Sequence, residues 1–401
     1  MKNNLLIFLI LLLGIVGGVF IFQRTHNAEQ PLMSSDEIAD FNREIIEQGN
    51  LNRIDLATAT FTPDEVRAMI EKYTIDPKAI YLDEDTITQA DKDALLASRN
   101  LDALSDTFVP RYGLCLCPTP MRSFPTLAVS TKDRIISGPL CFDDFQQNQV
   151  LLGDGVIILH ATADSSWYFV HSFDYAAWVQ AKDIQIVTKD AMLDYLSAEP
   201  FVVTTRMQHI CLHGDSVLLN IGTRLPVRRG KIFLPDGAKI AQSALICHKG
   251  YVPFTTANLM ELAFSQEGNP YDWGSRWGYN DCTGFVGACC RACGLYLPRN
   301  SGDMRKINRA LDFDKSTVDW VTLPVGTILL TKGHALFYIG LNEEGLPQVL
   351  HSHTSWYSRE THASDPRGLV EVTGVYDYYY SDTTDLSDVL VRYLPFPQTH
   401  H

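Results

Sequence analysis

One cysteine of this chain sits in a setting that suits a nucleophile. The stretch PYDWGSRWGYNDCTGF, residues 270 to 285, places Cys282 directly after Asp281, at what reads as a helix start. A cysteine attacks as its thiolate, and the unpaired N–H groups and dipole of a helix N-terminus favour that form. Gly274 and Gly278 loosen the loop that delivers the thiol, and Gly294 followed by Pro298 stops the helix. A nucleophilic cysteine also needs a base. His334, His351, His353, His362, His400 and His401 all follow residue 330. GHALFYIGL (333–341) alternates as a strand, QVLHSH (348–353) makes another, and NEEG turns between them. A turn centred between Asn342 and Glu343 sets His334 opposite His351 on one face. A turn shifted by one residue pairs His334 with His353 instead. In either case His334 would deprotonate Cys282 while the second imidazole orients it. The plain alternative is a packing cysteine and surface histidines on strands.

The other cysteines read differently. The nine lie at 115, 117, 141, 211, 247, 282, 289, 290 and 293, and an odd count leaves at least one unpaired. Helical spacing groups Cys289, Cys290 and Cys293 with Phe285 and Val286, as small core residues. Cys290-x-x-Cys293 resembles half a zinc site, but no second pair follows, so neither metal nor cofactor is expected.

These groups need elements to hold them. SSDEIADFNREIIEQ and TPDEVRAMIEKY carry cap residues and acidic first turns, which predicts short helices between 36 and 105. From Arg111 the pattern changes to short strands, with Asp164-Ser165-Ser166 as a tight turn, and a second strand-rich block follows Pro200. Two small β-barrels in tandem fit these runs. From Ala257 the order becomes helix, then strands. The resulting division is an apolar segment 1–26, a helical segment 27–110, barrels over 111–192 and 193–253, and a chemical domain over 254–401.

Four motifs in order, PYDWGSRWGYNDCTGF, GLYLPRNS, GHALFYIG and VLHSHTSW, resemble those of the NlpC/P60 cysteine peptidases. Ser275, Thr283 and Ala335 depart from the usual Gly, Ser and Val, and none of these changes removes a reacting group. MRSFPT, CFDDFQQNQ and SSWYFVHSFDYAAWV resemble the first bacterial SH3-like module of the subgroup with a helical N-terminal clip and two such modules. The resemblance implies an α+β, papain-like catalytic domain behind two SH3-like barrels. It also implies hydrolysis of peptidoglycan stem peptides, usually at the bond from γ-D-Glu to a diamino acid. Carried onto this sequence, Cys282 is nucleophile, His334 base and His351 the third polar group. Tyr271 would help the oxyanion beside the backbone N–H of Cys282. Asp281 and Thr283 stand where the family contacts D-Glu, although Tyr271 could be packing and Asp281 only a helix cap. Tyr175, in DYAAWV, stands where a tyrosine helps hold a free N-terminal L-Ala. Asn300 replaces the Asp common after LPR, and it cannot offer charge to that amine.

The chain's balance agrees with this reading. It has 401 residues, 46% of them hydrophobic, and a formal charge of −14, which argues against nucleic acid as a partner. The uncharged run from Leu5 to Phe22, as a helix, spans about 27 Å, close to a bilayer's hydrocarbon thickness. It ends in bulky residues without a small-residue cleavage site, so an uncleaved anchor in the inner membrane is expected, with a cleaved signal peptide as the alternative. Lys2 and Arg24 flank the run and barely orient it, and the expected substrate places the body in the periplasm. Two rival functions remain: a wall-binding protein with a vestigial peptidase domain, and a papain-like enzyme that passes the acyl group to an amine rather than water.

Overall fold

The computed structural model describes residues 29, 31–105, 108–135, 138, 140–212, 214–365 and 368–396. The apolar run 5–22, and with it the expected anchor, lies outside the described residues, as do His400 and His401. Among the described residues no helix is long and apolar enough to cross a membrane.

The helical segment works as a staple between two bodies. Helix α1 (Ser35–Glu47) opens with a capping box in which Glu37 accepts the Ser34 N–H at 2.7 Å. Its buried face, Phe41 and Ile45, joins the core of the C-terminal domain. Helix α2 (Pro63–Glu71), capped by Thr62, instead buries Val66 and Ile70 in the first barrel. A third helix, α3 (Gln89–Ser98), buries Leu95 against Phe124 and Phe145.

The first barrel is an antiparallel sheet of seven strands in the order 184–187, 111–115, 155–161, 167–171, 176–180, 119–122 and 146–150. The tight turn expected at 164–166 is present, with Ser165 at φ 58° and Asp164 accepting the Ser166 N–H. Trp167–His171 is buried along its whole length, because α2 and neighbouring strands cover faces a lone barrel would expose. Helix α4 (Lys189–Ser197) then crosses the boundary expected at 192/193 and links the two barrels. The second barrel has a five-stranded sheet, 239–241, 231–233, 224–228, 201–204 and 247–249, and a separate hairpin of 208–212 with 215–219.

The C-terminal domain is α+β. Helices α5 (Thr256–Phe264) and α6 (Cys282–Ala292) precede a six-stranded sheet in the order 311–312, 392–394, 328–330, 335–341, 347–353 and 369–374. Phe285, Val286, Cys289 and Cys290 of α6, with Cys293 just past its end, share one apolar cluster with Leu330, Phe337 and Leu350 of the sheet. Burying a ring such as Phe285 contributes about 2 kcal/mol, and its 5.7 Å edge contact with Phe337 seats α6 on the strand that follows His334. The helical cysteines are core residues as expected, and all nine cysteines are free thiols.

Candidate active site

Cys282 is the first residue of α6, and Asp281 is its cap. Asp281 is extended and accepts the Gly284 N–H at 2.8 Å, the local bond that makes the Asp-Cys-Thr-Gly sequence begin a helix here. The loop before it folds back on itself. Asp272, buried and pushed up to about 7 chiefly by that burial, accepts N–H groups from Trp277 and Tyr279. Gly274, at φ 61°, comes so close to the first barrel that a Cβ would lie 2.7 Å from Gln146 Cγ. Ser275 follows at φ 57°, a left-handed conformation that suits the glycine more usual at this point in the motif.

Both carboxylate oxygens of Asp281 are engaged. Arg299 donates to them at 2.5 and 3.1 Å, Gly274 N–H at 3.1 Å and Thr283 Oγ1 at 3.1 Å. Burial alone would raise this acid, but Arg299 and the N–H donors outweigh it and hold the carboxyl below its ordinary value. Arg299 also donates to Thr283 Oγ1 at 2.6 Å and to Asn148 Oδ1 of the first barrel at 2.6 Å. The guanidinium therefore ties the helix start to the barrel. Sequence reasoning quoted the LPRNS motif yet singled out only its Asn300. The signal for Arg299 was its place in that motif.

The histidines meet on the far side of the thiol. His334 Nε2 and His351 Nδ1 are 2.7 Å apart, and His351 Nε2 is 3.0 Å from Thr373 Oγ1. His353 stacks on His351 with ring centres 4.8 Å apart and is held by Glu371 at 2.7 Å. Cys282 Sγ lies 3.9 Å from the carbonyl oxygen of Gly333, and Ala335 supplies a backbone contact to the thiol, so the residues on both sides of His334 touch it.

At the histidine end the hairpin follows the second expected register, the one shifted by one residue. Phe337 faces Leu350 and Leu341 faces Pro347, with a bulge between Tyr338 and Gly340, and the chain turns from Asn342 to Leu346. Extended past Ala335, this register would set His334 level with His353. His334 nevertheless contacts His351, because it precedes the strand, in a turn where Thr331 N–H donates to its carbonyl, and reaches diagonally. The expected pair is present, but by a geometry that the assumed turn does not produce.

The protonation state also corrects an expectation. Burial, reinforced by the Asp281 carboxylate, pushes the Cys282 thiol up to about 12, although the N–H groups of Thr283 and Ala335 act the other way. Burial, helped by His353, pushes His334 down to about 3, and burial together with His334 also takes His351 well below its ordinary value. With Cys282 only 8% exposed, desolvation outweighs the helix dipole. Both shifts favour a neutral thiol and a neutral imidazole at rest over the thiolate that the helix start suggested.

Several elements surround the thiol. Tyr271 is buried, its N–H donates to Gly368, and its phenol is raised by burial and by the nearby Cys282 and Asp281. Phe142, from the first barrel, lies against Tyr271 and Trp273 with ring centres 6.2 and 5.5 Å away. Tyr378 edges onto both His351 and His353. Tyr175 and Asn300 come together: the Tyr175 hydroxyl donates to Gln147 at 2.9 Å and is within reach of Tyr73 and Asn300. Lys72 of the helical segment, which sequence reasoning did not single out, holds its ammonium 5.6 Å from the Tyr175 ring. Among the described residues no group of three or more His, Cys, Asp or Glu is arranged to hold a metal ion.

Comparison with known proteins gives the class of fold. Residues 140–180 match the SH3 domain of SH3b1 type, inside the first barrel. The solved structure of an NlpC/P60 endopeptidase from Photobacterium damselae subsp. piscicida superposes with a TM-score of 0.74 at 16% identity, covering 93% of this chain and 95% of that one. An NlpC/P60 family protein from Bacillus cereus ATCC 10987 superposes with a TM-score of 0.47 at 19% identity, covering 63% of this chain and 83% of that one. No curated protein sequence matches the chain. The α+β fold with an SH3-type module is thus that of the NlpC/P60 endopeptidase from Photobacterium, over nearly the whole of both chains.

Proposed function

We propose that this chain is a cysteine hydrolase of peptidoglycan stem peptides, cleaving the bond between γ-D-Glu and a diamino acid. The observation that carries the reading is Cys282 at the start of α6, packed against both neighbours of His334, whose imidazole is 2.7 Å from His351. The fold shared with an NlpC/P60 endopeptidase supports it, and the bond cleaved is what the motif resemblance implies.

The chemistry follows from a neutral resting pair. Cys282 Sγ attacks the scissile carbonyl carbon as its proton passes to His334, so the thiolate forms only while the new C–S bond forms. The backbone N–H of Cys282 and the Tyr271 hydroxyl stabilise the oxyanion. Collapse breaks the C–N bond, and His334 returns its proton to the leaving amine. Water, deprotonated by His334, then cleaves the thioester and restores the thiol. His351 holds His334 in place throughout. Asp281 and Thr283, both held by Arg299, flank the nucleophile where D-Glu would be contacted.

The surroundings of Tyr175 support a wider substrate range than stems with a free L-Ala amine. Asn300 offers no negative charge to an amine, and the Lys72 ammonium already stands beside the Tyr175 ring. Stems still joined to sugar, whose N-terminus is acylated, fit there equally well. The same reading places the catalytic part in the periplasm, held at the inner membrane by the run from Leu5 to Phe22. The test is incubation of the chain with muropeptides, followed by mass analysis. Two products whose masses sum to substrate plus one water support hydrolysis. Products joined to an added amine instead would make the enzyme a transferase, and no change in the substrate would favour a wall-binding role.

A further inference from the structure

His351 is fully buried, and each of its ring nitrogens has a polar neighbour: Nδ1 is 2.7 Å from His334 Nε2, and Nε2 is 3.0 Å from Thr373 Oγ1. A neutral imidazole donates through one nitrogen and accepts through the other, so the two contacts are coupled. In one arrangement His334 Nε2–H donates to His351 Nδ1, and His351 Nε2–H donates to the Thr373 oxygen. His334 then has a free lone pair on Nδ1. In the other, the Thr373 hydroxyl donates to His351 Nε2, His351 Nδ1–H donates to His334 Nε2, and His334 carries its own proton on Nδ1. Only the first leaves His334 a nitrogen that can take the thiol proton. Only the first also lets the resulting imidazolium keep donating through Nε2 with no other proton moved.

We propose that Thr373 is a positioning residue whose hydroxyl accepts from His351 Nε2–H and thereby fixes the tautomers of both histidines. The surroundings hold the His351 ring so that this hydroxyl decides the matter. His353 stacks on one face at 4.8 Å, the Tyr378 ring stands edge-on at 4.9 Å, and Glu371 anchors His353 in turn. Thr373 reaches His351 from the adjacent strand, where its own backbone partner is Val349, two residues away. The contact is diagonal, as that of His334 is from the other side. A valine at 373 keeps the branched shape and removes the acceptor. His351 Nε2–H is then buried without a partner, which favours moving the proton to Nδ1 and so disables His334.

The proposal rests on the hydrolase reading, but its first measurement needs no turnover. In the full chain labelled with 15N-histidine, wild-type His351 is expected to carry its proton on Nε2, with Nδ1 unprotonated. Thr373→Val should move it to Nδ1 and lower kcat on a muropeptide at least about tenfold, with KM within about twofold. Thr373→Ser, which keeps the acceptor, should retain both the tautomer and the rate. A wild-type His351 protonated on Nδ1 overturns the proposal even if the valine variant does not fold. So does a folded Thr373→Val protein with unchanged tautomer and kcat. The expected tautomer in a wild-type protein that cleaves nothing supports the Thr373 assignment and counts against the hydrolase reading alone.

Discussion

The two sides of the candidate site are held by opposite electrostatics. On the helix side Asp281 and Arg299 are both charged and both buried, joined by two hydrogen bonds. Burial would lower Arg299, but Asp281 raises it further, while Arg299 holds Asp281 down. On the hairpin side His334 and His351 are kept neutral by burial. The difference matches the work each side does. The ion pair fixes the start of α6 to the first barrel through Asn148, and nothing there needs to change during turnover. In the proposed reaction His334 gains and loses a proton, and burial favours its neutral form at rest. Cys282 lies where the two sides meet, and the fixed carboxylate of Asp281 is one reason its thiol stays protonated.

The largest effect is expected from breaking the charged side. Arg299→Met leaves Asp281 buried without its partner and should cost about 3–5 kcal/mol of stability in denaturant unfolding. The double variant Arg299→Met with Asp281→Asn should recover a large part of that loss. A small effect of the single variant would mean that the ion pair does not anchor the helix start.

The neutral side should appear as acid sensitivity. His334 is depressed from its ordinary value of 6.5 to about 3, so between those values the unfolded chain binds a proton that the folded chain does not. The stability this histidine contributes is fully present above pH 6.5 and declines as pH falls, by about 1.4 kcal/mol per pH unit, until about pH 3. His334→Gln should flatten the slope of unfolding free energy against pH in that window. An unchanged slope would show that His334 titrates normally.

A neutral thiol also changes what alkylation should report. Near neutral pH iodoacetamide should modify the exposed Cys211 faster than Cys282, whose thiol is raised to about 12. Modification of Cys282 should accelerate about tenfold per pH unit as pH rises toward that value. Rapid alkylation of Cys282 at pH 7 would instead restore the thiolate that the helix start suggested.

The smallest effect concerns the surroundings of Tyr175. Lys72→Glu combined with Asn300→Asp should raise kcat/KM for stems with a free N-terminal amine by about threefold to tenfold relative to sugar-linked stems. An unchanged ratio would mean that these residues do not read the N-terminus.

The sequence made the neutral side legible as residue types and left its geometry out of reach. Alternation marked the two strands and the histidine pair, but the bulge near Ile339 and the turn through Glu344 carry no distinct pattern, and a one-residue shift changes every pairing. Thr373 is silent in sequence, because its contact with His351 crosses to a third strand. On the charged side, Asp281 before a helix was readable as a cap. Its pairing with Arg299 depends on a tertiary approach that local spacing does not encode. The thiol's burial is out of reach for the same reason: a helix start is local, whereas the desolvation that raises Cys282 comes from tertiary packing. The barrels themselves were visible as strand runs, and the helix α4 that joins them spans residues 189 to 197.

The central claim is that Cys282 carries the acyl group, and a direct measurement is mass analysis of the protein quenched in acid during turnover of a muropeptide. The expected result is a protein heavier by the acyl part of the substrate, mapping to the peptide that contains Cys282, and neither adduct nor cleavage with Cys282→Ala. Cleavage that persists in Cys282→Ala, or an adduct on any other residue, would contradict it.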